Sequence, residues 1–136
     1  MSITDEQAQI VINAAIAKSE ELGYTITVAV VDSAGEVTAV RRMDGVGPIN
    51  YDFAYACAYT AATTGRTGVE LDWVKDTNWW RAASVMRGGR LMVARGALPL
   101  RDAGKVIGGI GVSGAPGEID LAVAEAGVAA LEGPAP

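Results

Sequence analysis

The chain has 136 residues, half of them hydrophobic, and a formal net charge of −5. That length and apolar content suit one domain with a real core, residues 1–136, and exclude disorder by composition, while the acidic balance argues against nonspecific nucleic-acid binding. Histidine is absent and Cys57 is the single cysteine, which removes the commonest general base and haem ligand and excludes an internal disulfide or an ordinary zinc site.

The first predicted element follows Thr4-Asp5-Glu6-Gln7, a capping-box spelling. Val11, Ala14, Ala15, Ser19 and Leu22 then recur at helical spacing, and Gly23 supplies the stop. Tyr24–Asp32 alternates and is rich in β-branched residues; Glu36–Met43 returns after the turn Ser33-Ala34-Gly35, so the two form a hairpin. The apolar run Ile26–Val31 is strand-length, far short of a membrane span. The acidic start MSITDEQ has no secretion-signal pattern. With the lone thiol, this predicts a cytoplasmic protein that meets neither membrane nor nucleic acid.

After the loop Asp44–Pro48, residues 50–64 read as a second helix rich in Ala, Tyr and Thr, closed by Gly65. Its small side chains predict close packing against a sheet or another subunit. Residues 70–86 read as one or two short helices broken near Asp76–Asn78. Three further strands are predicted: Arg90–Ala94, Ala97–Arg101 with Pro99 at an edge or bulge, and Lys105–Ser113. A last helix follows Pro116, with a frayed tail at 132–136. Paired strands on short turns make an antiparallel sheet of about five strands, an α+β domain with helices covering it.

Gly109-x-Gly111-x-x-Gly114 spells a dinucleotide loop, but two of its glycines fall inside the strand and no second parallel strand follows. Glycines within a strand allow close approach by a packed helix or by a ligand, and both remain open for Gly109.

The stretches VAVVDSAGEVTAVRRMDG, AYTAATTGR and ALPLRDAGKVIGGIGVSGAPGEIDLAVAEAG together resemble the GlcG/HbpS-like family, from Thr4 to about Leu131. That family is often labelled haem-binding or haem-degrading and is related to the C-terminal domain of PduO-type proteins. The resemblance implies a profilin-like α/β/α arrangement around a five-stranded antiparallel sheet. It also implies a homo-oligomer, a hexamer or octamer. Members usually carry lysine, in a KAxTA spelling, where this chain has Cys57, and GGVPI where it has Gly96–Leu100.

Residues 41–101 hold nine basic and five acidic side chains, so this stretch is +4 while the remainder is −9. Eight of the nine cations are arginine, suited to bidentate carboxylate contacts. Arg41, Arg42, Trp80, Arg90, Arg95 and Gly109 are therefore the candidate ligand-binding residues, and Tyr51, Cys57 and Asp44 the candidate proton-moving or nucleophilic ones. Structural roles compete at each: Arg42 pairing with Asp44, a tyrosine stripe Tyr51-Tyr55-Tyr59 serving packing, Cys57 as an inert buried thiol. No acidic cluster has metal-site spacing, so no metal is expected. The missing histidine predicts no cofactor; Met43, Met86, Met92, Tyr51 and Cys57 are the remaining side chains able to ligate haem iron. Three functions compete. One is a cofactor-free isomerase, deaminase or hydrolase acting on a small, unsaturated carboxylate. Another is a haem-binding or haem-degrading protein, and the third a non-catalytic binding or sensing module.

Overall fold

The computed structural model describes residues 1–133. The elements in chain order are α1 (Asp5–Leu22), β1 (Thr27–Asp32), β2 (Val37–Arg42), α2 (Ile49–Thr64), α3 (Asn78–Met86), β3 (Ala97–Asp102), β4 (Lys105–Ser113) and α4 (Gly117–Glu132). The strands form one antiparallel sheet in the order β2-β1-β4-β3. The α+β class holds, with four strands rather than five.

Local chemistry sets the element ends. Thr4 caps α1 as expected: its side chain accepts from Gln7 N while Gln7 accepts from the Thr4 amide, and Gly23 closes the helix in the left-handed region. Thr77 caps α3 by accepting from Trp80 N, which places the predicted break at Asp76–Asn78. Glu132 closes α4, and the rest of the predicted tail from 134 lies outside the described residues.

The predicted fifth strand does not form: residues 90–94 pair with neither outer strand, β2 or β3. Residues 90–94 instead lie over α2, where the Met92 amide donates to Thr60 Oγ1 at 2.8 Å. A side-chain hydroxyl thus satisfies a backbone donor that a strand partner would otherwise take. Pro99 sits within β3, an edge strand where its missing N–H costs nothing to the ladder.

The alternation of β1 and β4 divides the core. Val28, Val30, Ile110 and Val112 point to one side and pack with Val11, Ile12 and Ile16 of α1 and Val123 and Ala124 of α4. Burying each such side chain contributes about 1.5–3 kcal/mol. On the other side Ala29 and Val31 meet Ala54, Ala58 and Ala62 of α2. There β4 presents Gly109 and Gly111, and a β-carbon on either would strike the carbonyl of Ala58 or of Ala54. The glycines serve helix packing, so Gly109 is not a wall open to ligand. Among the described residues no helix is long and apolar enough to cross a membrane.

Gly111→Ala is expected to cost at least ~2 kcal/mol, because it forces a backbone apart rather than a side chain aside. Urea unfolding of the variant beside the parent measures this, and an unchanged midpoint would contradict the close approach.

Candidate functional site

The predicted catalytic residues do not converge. Asp44 is exposed in the loop after β2, in a small cavity shared with Glu20 and Arg41. Tyr51 is 40% exposed at the start of α2 and stacks nearly parallel on Tyr55, with centroids 6.2 Å apart. Cys57 is buried among Ala61, Ala97, Met92 and Ala94. Burial, reinforced by the nearby Asp120 carboxylate, pushes its thiol up to about 12. A group in that state is neither nucleophile nor iron-binding thiolate at neutral pH.

The arginines divide as adjacent strand positions require. Arg41 lies opposite Val28 and Arg42 opposite Thr27, hence on opposite faces of the sheet. Arg42 does not pair with Asp44; its Nη1 donates to Val46 O at 2.7 Å and ties down the loop. Arg90 places its guanidinium 4.3 Å from the Tyr59 ring centroid and donates from Nε to Arg87 O. Arg87 in turn reaches the Tyr59 hydroxyl at 3.5 Å. These two cations therefore straddle the buried end of the tyrosine stripe.

Of the tryptophan pair, Trp80 is 8% exposed and packs with Leu71 and Val74, whereas its neighbour Trp79 is exposed beside Trp73. Trp80 also forms one wall of a groove of 340 Å³ between α2 and α3, together with Thr63, Ala83, Met86, Arg87 and Leu91. Arg95 borders a different cavity, of 470 Å³, beside Gly68, Asp72 and Gly117.

Two site features escaped the sequence reading. Asp120, in the first turn of α4, is 9% exposed. It accepts from Ala115 N at 3.2 Å, yet burial raises its carboxyl to about 7. An acidic residue in a helix's first turn reads as a surface charge, so nothing local marked it. The other is the standing of the methionines. Met43 is half-buried, and its sulfur accepts from Ile26 N at 3.3 Å and from Ser19 Oγ at 3.6 Å. Met92 is packed onto Cys57 and Ala61. Met86 is 79% exposed, and its sulfur has no recorded partner among the described residues. Met86, Arg87 and the apolar side chains of Trp80, Ala83 and Leu91 border one groove, and these are the groups that could hold haem in a chain without imidazole.

The family model described as "Haem degrading protein HbpS-like" matches residues 3–129. The chain belongs to that family. It is 26% identical over 137 residues to the corrinoid adenosyltransferase PduO of Citrobacter freundii, covering 96% of this chain. It spans only 39% of that relative's length. The crystal structure of a PduOC:haem complex superposes with a TM-score of 0.85 at 25% identity, over 96% of this chain and 95% of that one. A double mutant of Streptomyces reticuli HbpS superposes at 0.81 with 32% identity, over 94% of this chain and 86% of that one. These relatives overturn the expectation of no cofactor. That expectation rested on missing histidine alone, and the HbpS-like fold is seen in complex with haem.

Asp120 yields a stability prediction for the HbpS-like chain. Its folded carboxyl titrates above the ordinary value of 3.8, at about 7. The fold therefore loses stability as pH rises through that window, with the full cost present above it. Asp120→Asn is expected to gain on the order of 1–2 kcal/mol near pH 8 and nothing near pH 4. Thermal melts at both pH values measure the difference; an equal effect at each would contradict a buried ionisation cost.

Proposed function

We propose that this chain binds haem in the groove between α2 and α3, with the Met86 thioether as an iron donor and Arg87 holding a propionate. Trp80 and Leu91 would cover the apolar ring. The observation that carries this reading is the free sulfur of Met86 in an apolar groove beside an arginine. The haem complex of the PduOC relative supports it from outside. Bound haem would bring iron redox and ligand chemistry to a chain with no such group of its own. The residues would contribute shape and charge: Arg87 would offer planar donors to a carboxylate, and the exposed edge of Trp80 with Leu91 an apolar wall. The reading as a cofactor-free enzyme on a small acid draws no support from the relatives. A homo-oligomer of six or eight copies in the cytoplasm belongs to the same proposal, and light scattering on purified protein measures the copy number.

Titrating the protein with ferric haem is expected to give a saturable shift of the Soret band at one haem per chain. Met86→Leu should change the band position and weaken binding about tenfold. Arg87→Ala should weaken binding less and leave the band in place. A linear, unsaturable titration would sink the haem reading, and a Met86→Leu spectrum identical to the parent would remove Met86 as the ligand.

A further inference from the structure

Eight arginines lie between residues 41 and 101. Six use at least one donor within the chain: Arg42 with Val46 O, Arg66 with Glu70, Arg81 with Asn78, Arg87 with the Tyr59 hydroxyl through one long contact, Arg90 with Arg87 O, and Arg101 with Gly65 O and Gly104 O. Among the described residues Arg41 and Arg95 have no recorded ion pair or hydrogen bond. Arg41 shares its cavity with Arg42 and with the acids Glu20 and Asp44, so the charges there already balance. Arg95 shares its cavity with one acid, Asp72, whose Oδ1 is taken by Lys75 Nζ at 2.7 Å. A cation left over in a concave space is a different matter from one on a flat, charge-balanced surface.

The walls of this cavity hold Arg95 in place. Gly68 packs so tightly on Ala94 that a β-carbon would strike its carbonyl. Val69 and Val93 add apolar surface. The bare α-carbon of Gly117 lets the arginine stem lie across the start of α4: a β-carbon there would meet Arg95 Cδ at 3.3 Å. The cation is thereby kept beside the end of the helix where the macrodipole is positive. The volume of 470 Å³ falls within the range of small-molecule sites. One turn further along α4 sits Asp120, behind Gly96: a β-carbon on Gly96 would stand 3.1 Å from the Asp120 β-carbon.

We propose that this cavity binds a small carboxylate through the Arg95 guanidinium, at a site separate from the haem groove. The planar fork of the guanidinium, carried on an exposed side chain, matches the two oxygens of a carboxylate.

The test titrates the full chain with acetate and with succinate, read by backbone amide shifts, and in parallel with ferric haem, read by the Soret band. Expected are saturable shifts at the Gly117 and Glu118 amides, weakened about tenfold or more by Arg95→Ala and partly restored by Arg95→Lys. Haem binding should be the same in Arg95→Ala as in the parent. Absence of saturation with both acids, or saturation untouched by Arg95→Ala, overturns the proposal. Displacement of the acid by haem, with weaker haem binding in Arg95→Ala, also overturns it, because the carboxylate would then be a haem propionate. Acid binding without any haem binding would leave this site standing and remove the haem reading alone.

Discussion

The rest of this structure depends on how closely α2 lies on β4. Gly109 and Gly111 carry no side chains toward the helix, and Ala54, Ala58 and Ala62 carry only methyl groups toward the strand. Backbone therefore meets backbone, and dispersion contacts accumulate over the whole length of the pair rather than through a few large side chains. A layer this thin brings the outer side of α2 close enough to the start of α4 for Cys57 and Asp120 to interact electrostatically. It also leaves room on that outer side for the 90–96 segment, which Thr60 anchors.

Cys57 and Asp120 illustrate how one departure from a family pattern changes a site. Where similar sequences spell KAxTA, this chain has a thiol, and the carboxyl opposite it has only the Ala115 amide. An ammonium at that position would offset the buried carboxylate; a thiol does not, so both groups shift toward their neutral forms. The pair is consequently poor in nucleophilic chemistry and rich in pH sensitivity. The two cavities flanking this region differ in the same way. The groove beside Met86 is apolar with one cation, and the cavity beside Arg95 combines two glycines and two valines with one cation and one acid.

Much of the fold was legible in the residues. The capping box at Thr4, the hairpin over Ser33–Gly35 and the strand Lys105–Ser113 are local signals, and they held because local hydrogen bonding sets them. The strand predicted at 90–94 was not realised, since the Met92 amide goes to Thr60 Oγ1 and the segment packs on α2 rather than along a sheet edge. The site was less legible. Asp44, Tyr51 and Cys57 are chemically apt, but chemical aptness says nothing of distance, and the chain keeps them apart. Arg95 and Met86 matter through what fails to contact them, and a sequence does not print a missing partner. Asp120 looked like an ordinary first-turn acid because burial is a property of the neighbours, not of the residue.

By itself, then, the sequence determined the class of fold, the antiparallel pairing, the family likeness and the excess of arginine in the middle of the chain. Each follows from local spacing or from composition, which survive without coordinates. Only the tertiary structure decided that the glycines of β4 face a helix rather than a ligand. It alone decided which arginines, among the described residues, have no partner, that the Met43 sulfur is engaged while the Met86 side chain is exposed, and which carboxyl is buried. The physical reason is common to all four: burial, charge pairing and cavity shape depend on residues far apart in the chain, and the packing of α2 on β4 is what brings them together.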